Sequence, residues 1–386
     1  MASPTDDLEL EKQADYRVYT LAGDHYEMGR QWGMAGIREE TDRPTPEEAA
    51  KAAQLLGLTL DRFAALDAAV EAEGVEEEAL SPSQLSFAEE CLQVVCNFHP
   101  PLLDEFEGWA ESLGLGTDSI LGMLSFGMEQ IPRHCSAFAW RTKDGLIVGR
   151  NYDFFYWART RHLIHAKPDI YYATVGMNDG LLGGRQEGVN EHGLFVSVHG
   201  VVAKPTATRR PGVVFHLVPR ILLETCATAG EAVMLAREMP HLMSYSYLIA
   251  DSQEMFVVEA HPEAVCIRES DDHYIAATNH FLHPGLKGLM QSPVQKNSED
   301  RLSKILWVLG EAEDRSDPWT TTKTILTDHD VPICGHTDGL ATLWSMIVDL
   351  TNQRLAYSLG APCRNDYQEI PWPGTSQPTA PTDESQ

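Results

Sequence analysis

The sequence changes character at Cys135, and this break constrains the fold more than any other feature. Between about residues 17 and 134 the pattern is mainly helical, apart from a short alternating stretch at Arg17–Leu21. Asp24 is placed to cap a helix that runs on through Gly33. Thr45-Pro46-Glu47-Glu48 has the threonine, proline and acids of a second helix start. An acidic run at 71–78 reads as a solvated edge or loop. Pro100-Pro101 ends the helix that carries Cys91 and Cys96. Leu102–Leu113 is amphipathic and closes on Gly114, and Thr117–Met123 forms a further short helix. After Cys135 short strands between turns dominate, at 135–141, 146–151, 170–176, 186–190, 193–199, 245–250, 254–259, 264–268, 273–278, 343–349 and 354–359. Helices intervene at 216–226, 229–238 (opened by the Thr228…Glu231 capping box) and 298–312.

Within the second part, Cys135–Trp140 and Leu146–Asn151 flank Lys143-Asp144-Gly145, the pattern of a β-hairpin. Cys135 starts the first strand; Arg150 and Asp153 lie at the end of the second. The hairpin brings these ends together and sets a thiol beside a guanidinium and a carboxylate, an arrangement that can activate a nucleophile. A cysteine at a strand start is otherwise an ordinary small buried hydrophobe. The segments expected are a tail over 1–16, a helix-rich block over 17–134, a strand-rich core over 135–370 and a Pro/Thr/Ser-rich tail over 371–386. The class is α+β. Its strands fit two antiparallel sheets packed between helix layers, although a period of two does not separate that architecture from other α+β folds.

Composition narrows the function. With 386 residues, 43% hydrophobic and 22% charged, the chain can build a sizeable core. A formal net charge of −28 argues against nucleic acid and anionic membrane surfaces as partners. The first residues have neither the basic end nor the apolar stretch of a signal peptide, and seven scattered cysteines argue for a reduced, cytoplasmic protein. Cys334 and His336 lie two apart, but a structural zinc site needs four ligands and no second close pair accompanies them, so no metal is expected. The glycines at 176–188 lack the Gly-Lys-Ser/Thr of a phosphate loop, and no strand–GxGxxG–helix unit is present, so no nucleotide cofactor is expected.

Three further stretches carry polar candidates. Val189-Asn190-Glu191-His192-Gly193-Leu194 reads as a turn between strands, with Asn190 and Gly193 suited to positive φ. The backbone near His199 that follows could present an N–H to a ligand. Asn279, at a strand end, has the amide donor used to hold an oxyanion, while its neighbour His280 suits a satisfied structural histidine. Asn297 or Ser298 is placed to cap the next helix, in whose first turn the cation Arg301 is out of place, a hint of a ligand or structural partner.

Taken together and in order, these blocks resemble the acyl-coenzyme A:6-aminopenicillanate (isopenicillin-N) acyltransferase family, and more distantly the choloylglycine hydrolases. The resemblance runs from about residue 17 to 370. It rests on Gly23-x-His25-Tyr26-Glu27-x-Gly29-x-Gln31-x-Gly33, Gly149-Arg150-Asn151-Tyr152-Asp153 after Cys135, Asn190-Glu191-x-Gly193-Leu194, Thr278-Asn279-His280-Phe281 and Ser298-x-x-Arg301. It implies an N-terminal-nucleophile (Ntn) αββα sandwich whose precursor, a zymogen, cuts itself before the cysteine, here at His134–Cys135. The two fragments stay together, and the new α-amine serves as base for the thiol. It further implies that Arg150 and Asp153 orient the nucleophile, that Asn279 supplies an oxyanion donor and that Arg301 supports the site. Many relatives carry glycine before the nucleophile; His134 is a departure, and it lacks glycine's conformational freedom.

The activity so implied is hydrolysis of a carbon–nitrogen amide bond in a small acylated substrate, through an acyl-cysteine. An acyltransferase differs only in passing the acyl group to an amine, with an acyl-CoA or amide as donor. A binding protein on the same fold, with an inert Cys135, is the third reading. Water is the default acceptor, which favours the hydrolase.

Overall fold

The computed structural model describes residues 16–37, 81–126, 134–155, 161–204, 206, 208–270, 273–291, 296–312, 317–336 and 340–375. The helix start expected at Thr45, the acidic run at 71–78 and all but the inner ends of the two tails lie outside these residues. At those inner ends Tyr16 belongs to a strand and Trp372 is buried.

The first part contains β1 (Tyr16–Gly23), α1 (His25–Ala35), α2 (Pro82–Phe98), α3 (Pro101–Leu113) and α4 (Thr117–Phe126). Asp24 caps α1 by accepting from the Glu27 N–H, and Gly114 ends α3 in the left-handed conformation, as the sequence predicts. The second part begins with β2 (Ser136–Thr142), β3 (Gly145–Phe155), β4 (Arg161–Pro168), β5 (Thr174–Asn178), β6 (Glu187–Asn190) and β7 (Phe195–Gly200). It continues through α5 (Leu217–Thr225), α6 (Ala229–Glu238), β8 (Tyr245–Ala250), β9 (Met255–His261), β10 (Ala264–Glu269), β11 (Tyr274–Ala277) and α7 (Pro284–Lys287). It closes with α8 (Lys296–Glu311), α9 (Pro318–Leu326), β12 (Leu340–Asp349), β13 (Arg354–Ser358) and β14 (Gln368–Ile370).

The strands form an eight-stranded sheet, β1-β4-β5-β6-β7-β8-β9-β10, and a six-stranded sheet, β11-β2-β3-β12-β13-β14. One apolar cluster joins the facing sides of both, with Ala137, Tyr152 and Trp344 from one sheet and Val175, Phe195 and Val257 from the other. A second packs the outer face of the larger sheet against α1–α6, and a third packs the smaller sheet against α8 and α9. Two sheets thus lie between two helix layers. The expectation of purely antiparallel sheets is corrected at one edge, where β1 pairs with β4 in parallel. A parallel pair needs a long crossover, and here the chain between β1 and β4 carries α1–α4 and the β2–β3 hairpin.

The helical block is fastened to the sheets by shape and by charge. A Cβ on Gly29 would stand 1.8 Å from the Glu105 carbonyl oxygen, and one on Gly108 would stand 2.1 Å from that of Tyr26. Glycine at both positions lets α1 and α3 cross at backbone contact. Beneath them His25 and His99 both donate through Nε2 to Glu224 Oε2, at 3.0 and 2.8 Å. Arg220 joins Glu224 Oε1 (2.6 Å) to the Glu105 carboxylate (2.7 and 3.2 Å), with every member buried. The Gly-x-His-Tyr-Glu-x-Gly block near the start of the sequence is therefore a docking element.

Candidate active site

The hairpin forms as the sequence predicts. Strands β2 and β3 pair with Ser136 opposite Asn151 and Ala137 opposite Arg150, and the His134 N–H donates to the Asp153 carbonyl (3.3 Å). Cys135 is fully buried at the mouth of this hairpin. Its Sγ lies 4.0 Å from Arg150 Nη2, and its carbonyl accepts from Arg301 Nη1 at 2.6 Å.

Arg150 crosses from the smaller sheet to the larger. Its Nε donates to Glu187 Oε2 (2.6 Å), Nη1 to His199 Nε2 (3.2 Å) and Nη2 to the Val198 carbonyl (3.1 Å). Because the guanidinium can only donate, His199 accepts through Nε2 and carries its proton on Nδ1. Burial, with Arg150 and Arg301 nearby, holds His199 neutral, well below its ordinary pKa. Glu187 also accepts from the Trp344 indole (2.7 Å), and Trp344 stacks on Tyr152 with centroids 3.9 Å apart.

Asp153 accepts from Thr342 Oγ1 at 2.6 Å. Burial pushes its carboxyl up to about 7, with Arg301, Thr342, His336 and Arg150 restraining the rise. A register shift between Thr342 and Trp344 lets one short stretch of β12 serve both Asp153 and Glu187. Desolvation, then Arg301, pushes His134 down to about 3.

Arg301 is not in the first turn of its helix, as the sequence suggests, but in the second. Helix α8 begins at Lys296, so the expected cap at Asn297 or Ser298 is corrected: both lie within the helix. Arg301 turns inward and donates to four neutral oxygens: Cys135 O, Ser136 Oγ (2.7 Å), Asn279 Oδ1 (2.9 Å) and Asn297 Oδ1 (2.6 Å). Ser298 is spent on the segment that follows β11, accepting from the Asn279 N–H (2.8 Å) and meeting His280 Nδ1 at 2.7 Å. Asn279 Nδ2 donates to the Gly200 carbonyl (3.0 Å), which joins this corner to the end of β7.

The structure thus gathers Cys135, Arg150, Asp153, Asn279, Arg301, His134 and His199 into one connected network. His280 borders it through Ser298 and is pushed down to about 4, first by burial. Asn190 has another task. Its amide donates to the Leu223 and Cys226 carbonyls (2.9 and 2.7 Å) and accepts from the His192 and Leu194 N–H groups, both at 3.0 Å. All its polar capacity goes to the turn and to the end of α5, the role its turn pattern suggests. Sequence reasoning missed Glu187, Thr342 and Trp344. A lone glutamate in the short strand at 186–190 was the one available signal, because its partner comes from the opposite sheet.

The family model of the acyl-coenzyme A:6-aminopenicillanic acid acyl-transferases matches residues 140–364. The matched stretch holds Arg150, Asp153, Asn279 and Arg301 and begins just past Cys135. No curated protein matches the chain. Among solved structures, a Caenorhabditis elegans ortholog of the N-acylethanolamine-hydrolyzing acid amidase aligns at 15% identity and a TM-score of 0.44, over 61% of this chain and 100% of that one. Penicillin V acylase from Agrobacterium tumefaciens aligns at 14% and 0.41, over 58% and 83%. A mutant conjugated bile acid hydrolase from Clostridium perfringens aligns at 12% and 0.41, over 62% and 97%. With the family model spanning more than half of its residues, the chain belongs to the acyl-coenzyme A:6-aminopenicillanic acid acyl-transferase family.

Proposed function

We propose that this protein is an autoprocessing Ntn enzyme that hydrolyses the amide bond of a small acylated substrate through an acyl-Cys135 intermediate. The observation that carries the reading is the thiol of Cys135, buried at a strand start between two arginines, one 4.0 Å from its sulfur and one on its carbonyl. Membership of an acyl-transfer family supports the same chemistry.

In maturation, Cys135 Sγ adds to the His134 carbonyl carbon. The peptide C–N bond breaks, its nitrogen takes a proton and becomes the α-amine of Cys135, and water hydrolyses the thioester to leave His134 as a carboxylate. In turnover, that amine takes the thiol proton as sulfur attacks the substrate carbonyl. The tetrahedral oxyanion meets Asn279, whose amide is fixed on one side by Arg301 and on the other by the Gly200 carbonyl, leaving a second Nδ2–H for the ligand. Asp153, with its carboxyl pushed up to about 7, can hold or release a proton near neutral pH beside the cut bond. Collapse expels the amine, and water releases the acid. Passing the acyl group to an amine instead, from an amide or acyl-CoA donor, gives the acyltransferase reading that the family's description favours.

Intact mass spectrometry of the purified protein tests the proposal. Two associated pieces, 1–134 and 135–386, are expected, with Cys135→Ala remaining one chain. A fully active enzyme that stays uncut contradicts the role of the amine as base, and a wild-type Cys135 inert to thiol probes and amide substrates turns the reading to a binding protein.

A further inference from the structure

Outside the site just described, the fold assembles a second group of ligand-type side chains. His329, Cys334 and His336 lie on the segment between α9 and β12, and Cys363 lies between β13 and β14. One potential ligand atom from each stands within 4.8 Å of all the others. The sequence hides this set because Cys363 is distant in the chain and His329 follows no close spacing rule. Cys334 and His336 have no second pair close in sequence, but the fold brings His329 and Cys363 to them.

The distances fit a tetrahedral ion. Zinc–sulfur and zinc–nitrogen bonds of about 2.3 and 2.0 Å give tetrahedral edges of about 3.8 Å between sulfurs and about 3.5 Å between sulfur and nitrogen. Cys334 Sγ and Cys363 Sγ stand 3.7 Å apart, and His336 Nε2 lies 3.3 Å from the first and 3.1 Å from the second. A disulfide needs sulfurs at about 2.05 Å, so the two cysteines are spaced as co-ligands. The His329 ring sits against that of His336, with centroids 5.3 Å apart. The segment is shaped beforehand, since the Cys334 N–H closes onto the Asp328 carbonyl at 3.0 Å and the Val331 N–H onto Asp328 Oδ1 at 3.0 Å.

We propose that His329, Cys334, His336 and Cys363 bind one Zn²⁺ in a closed, structural site. Two thiols release their protons to solvent on binding, and two thiolates with two neutral imidazoles leave the centre uncharged. Two sulfurs and two nitrogens in tetrahedral array suit zinc better than calcium or magnesium, which take oxygen. Four protein ligands leave no open position, so the ion is a clamp between the entry to β12 and the β13–β14 connection. Its neighbour Gly335 exchanges hydrogen bonds with Thr342, giving its N–H to Thr342 Oγ1 (2.9 Å) and taking the Thr342 N–H on its carbonyl (3.0 Å). Thr342 in turn holds Asp153. The clamp therefore fixes the segment that orients Asp153, and it stands whether or not Cys135 is a nucleophile.

The test is metal analysis of the full chain purified under reducing conditions without chelator. About one zinc per chain is expected, lost in Cys363→Ser. Cobalt loaded in its place is expected to show the intense visible bands of a tetrahedral ion and a thiolate charge-transfer band, both absent from Cys363→Ser. His329→Ala, on an exposed turn, keeps the fold and is expected to weaken zinc about tenfold or more in competition with a chromophoric chelator, on the scale of disturbing a ligand shell. Free thiols without metal, a Cys334–Cys363 disulfide under reducing conditions, or zinc affinity unchanged in both variants would each overturn the proposal.

Discussion

Arg220 and Arg301 are both fully buried, and their surroundings push them in opposite directions. At Arg220 burial is outweighed by the carboxylates of Glu105 and Glu224, and its proton is held more firmly than in water. At Arg301 burial prevails over the partial help of Asp153 and Cys135, and its proton is held less firmly. The hydrogen bonds say the same: Arg220 meets two carboxylates, whereas Arg301 meets four neutral oxygens. The first network sets one guanidinium against two carboxylates and docks the helical block on the sheets. In the second, Arg301 donates only to neutral oxygens, an arrangement that under the proposed function suits a place where negative charge develops on a carbonyl. Polarity and burial are common to both clusters; what differs is the chemistry of the partners, two carboxylates around Arg220 and neutral oxygens around Arg301.

Substitutions in the two networks separate these roles. Arg220→Met leaves Glu105 and Glu224 buried without their cation, and is expected to cost about 3–5 kcal/mol of stability. Denaturant unfolding reads that loss, while turnover per folded molecule holds; a fall in turnover without a fall in stability would erase the contrast. Asn279→Ala belongs to the other network. Loss of an oxyanion donor costs about a hundred- to a thousand-fold in turnover with little change in KM. Co-expressing 135–386 with 1–134 bypasses self-cleavage for this comparison, and reduced thermal stability with normal turnover would make Asn279 a turn residue. The smallest effect is expected from His25→Phe, which takes one of three donors from Glu224. About 1–3 kcal/mol should be lost, with full activity in the folded fraction.

The hairpin was legible because its two strands are neighbours in sequence, and an apolar run, Lys-Asp-Gly and a second apolar run specify its register. Arg301 was singled out as a cation expected in the first turn of a helix; it lies in the second turn, and its partners were not legible. Glu187 was not, because it meets Arg150 only when two sheets face each other. Strand β4 was missed because Arg161, His162, His165 and Lys167 mask its apolar residues, yet all but Lys167 are buried. Strand β14 has only three residues and no pattern to read. The His329–Cys334–His336–Cys363 group shows the same limit, since local spacing registers only ligands that lie close along the chain. Asn190 taught the converse: a motif shared with a family was spent on a turn.

The central claim is that Cys135 carries the acyl group, and single-turnover trapping tests it most directly. Purified enzyme is mixed with an activated acyl amide, quenched in acid and digested, and the modified peptide is located by mass. The account predicts one acyl group on the sulfur of Cys135 at the N-terminus of the 135–386 piece, formed and lost at rates that support turnover. Turnover with the acyl group on another cysteine, or with none on Cys135 at any time point, would contradict it.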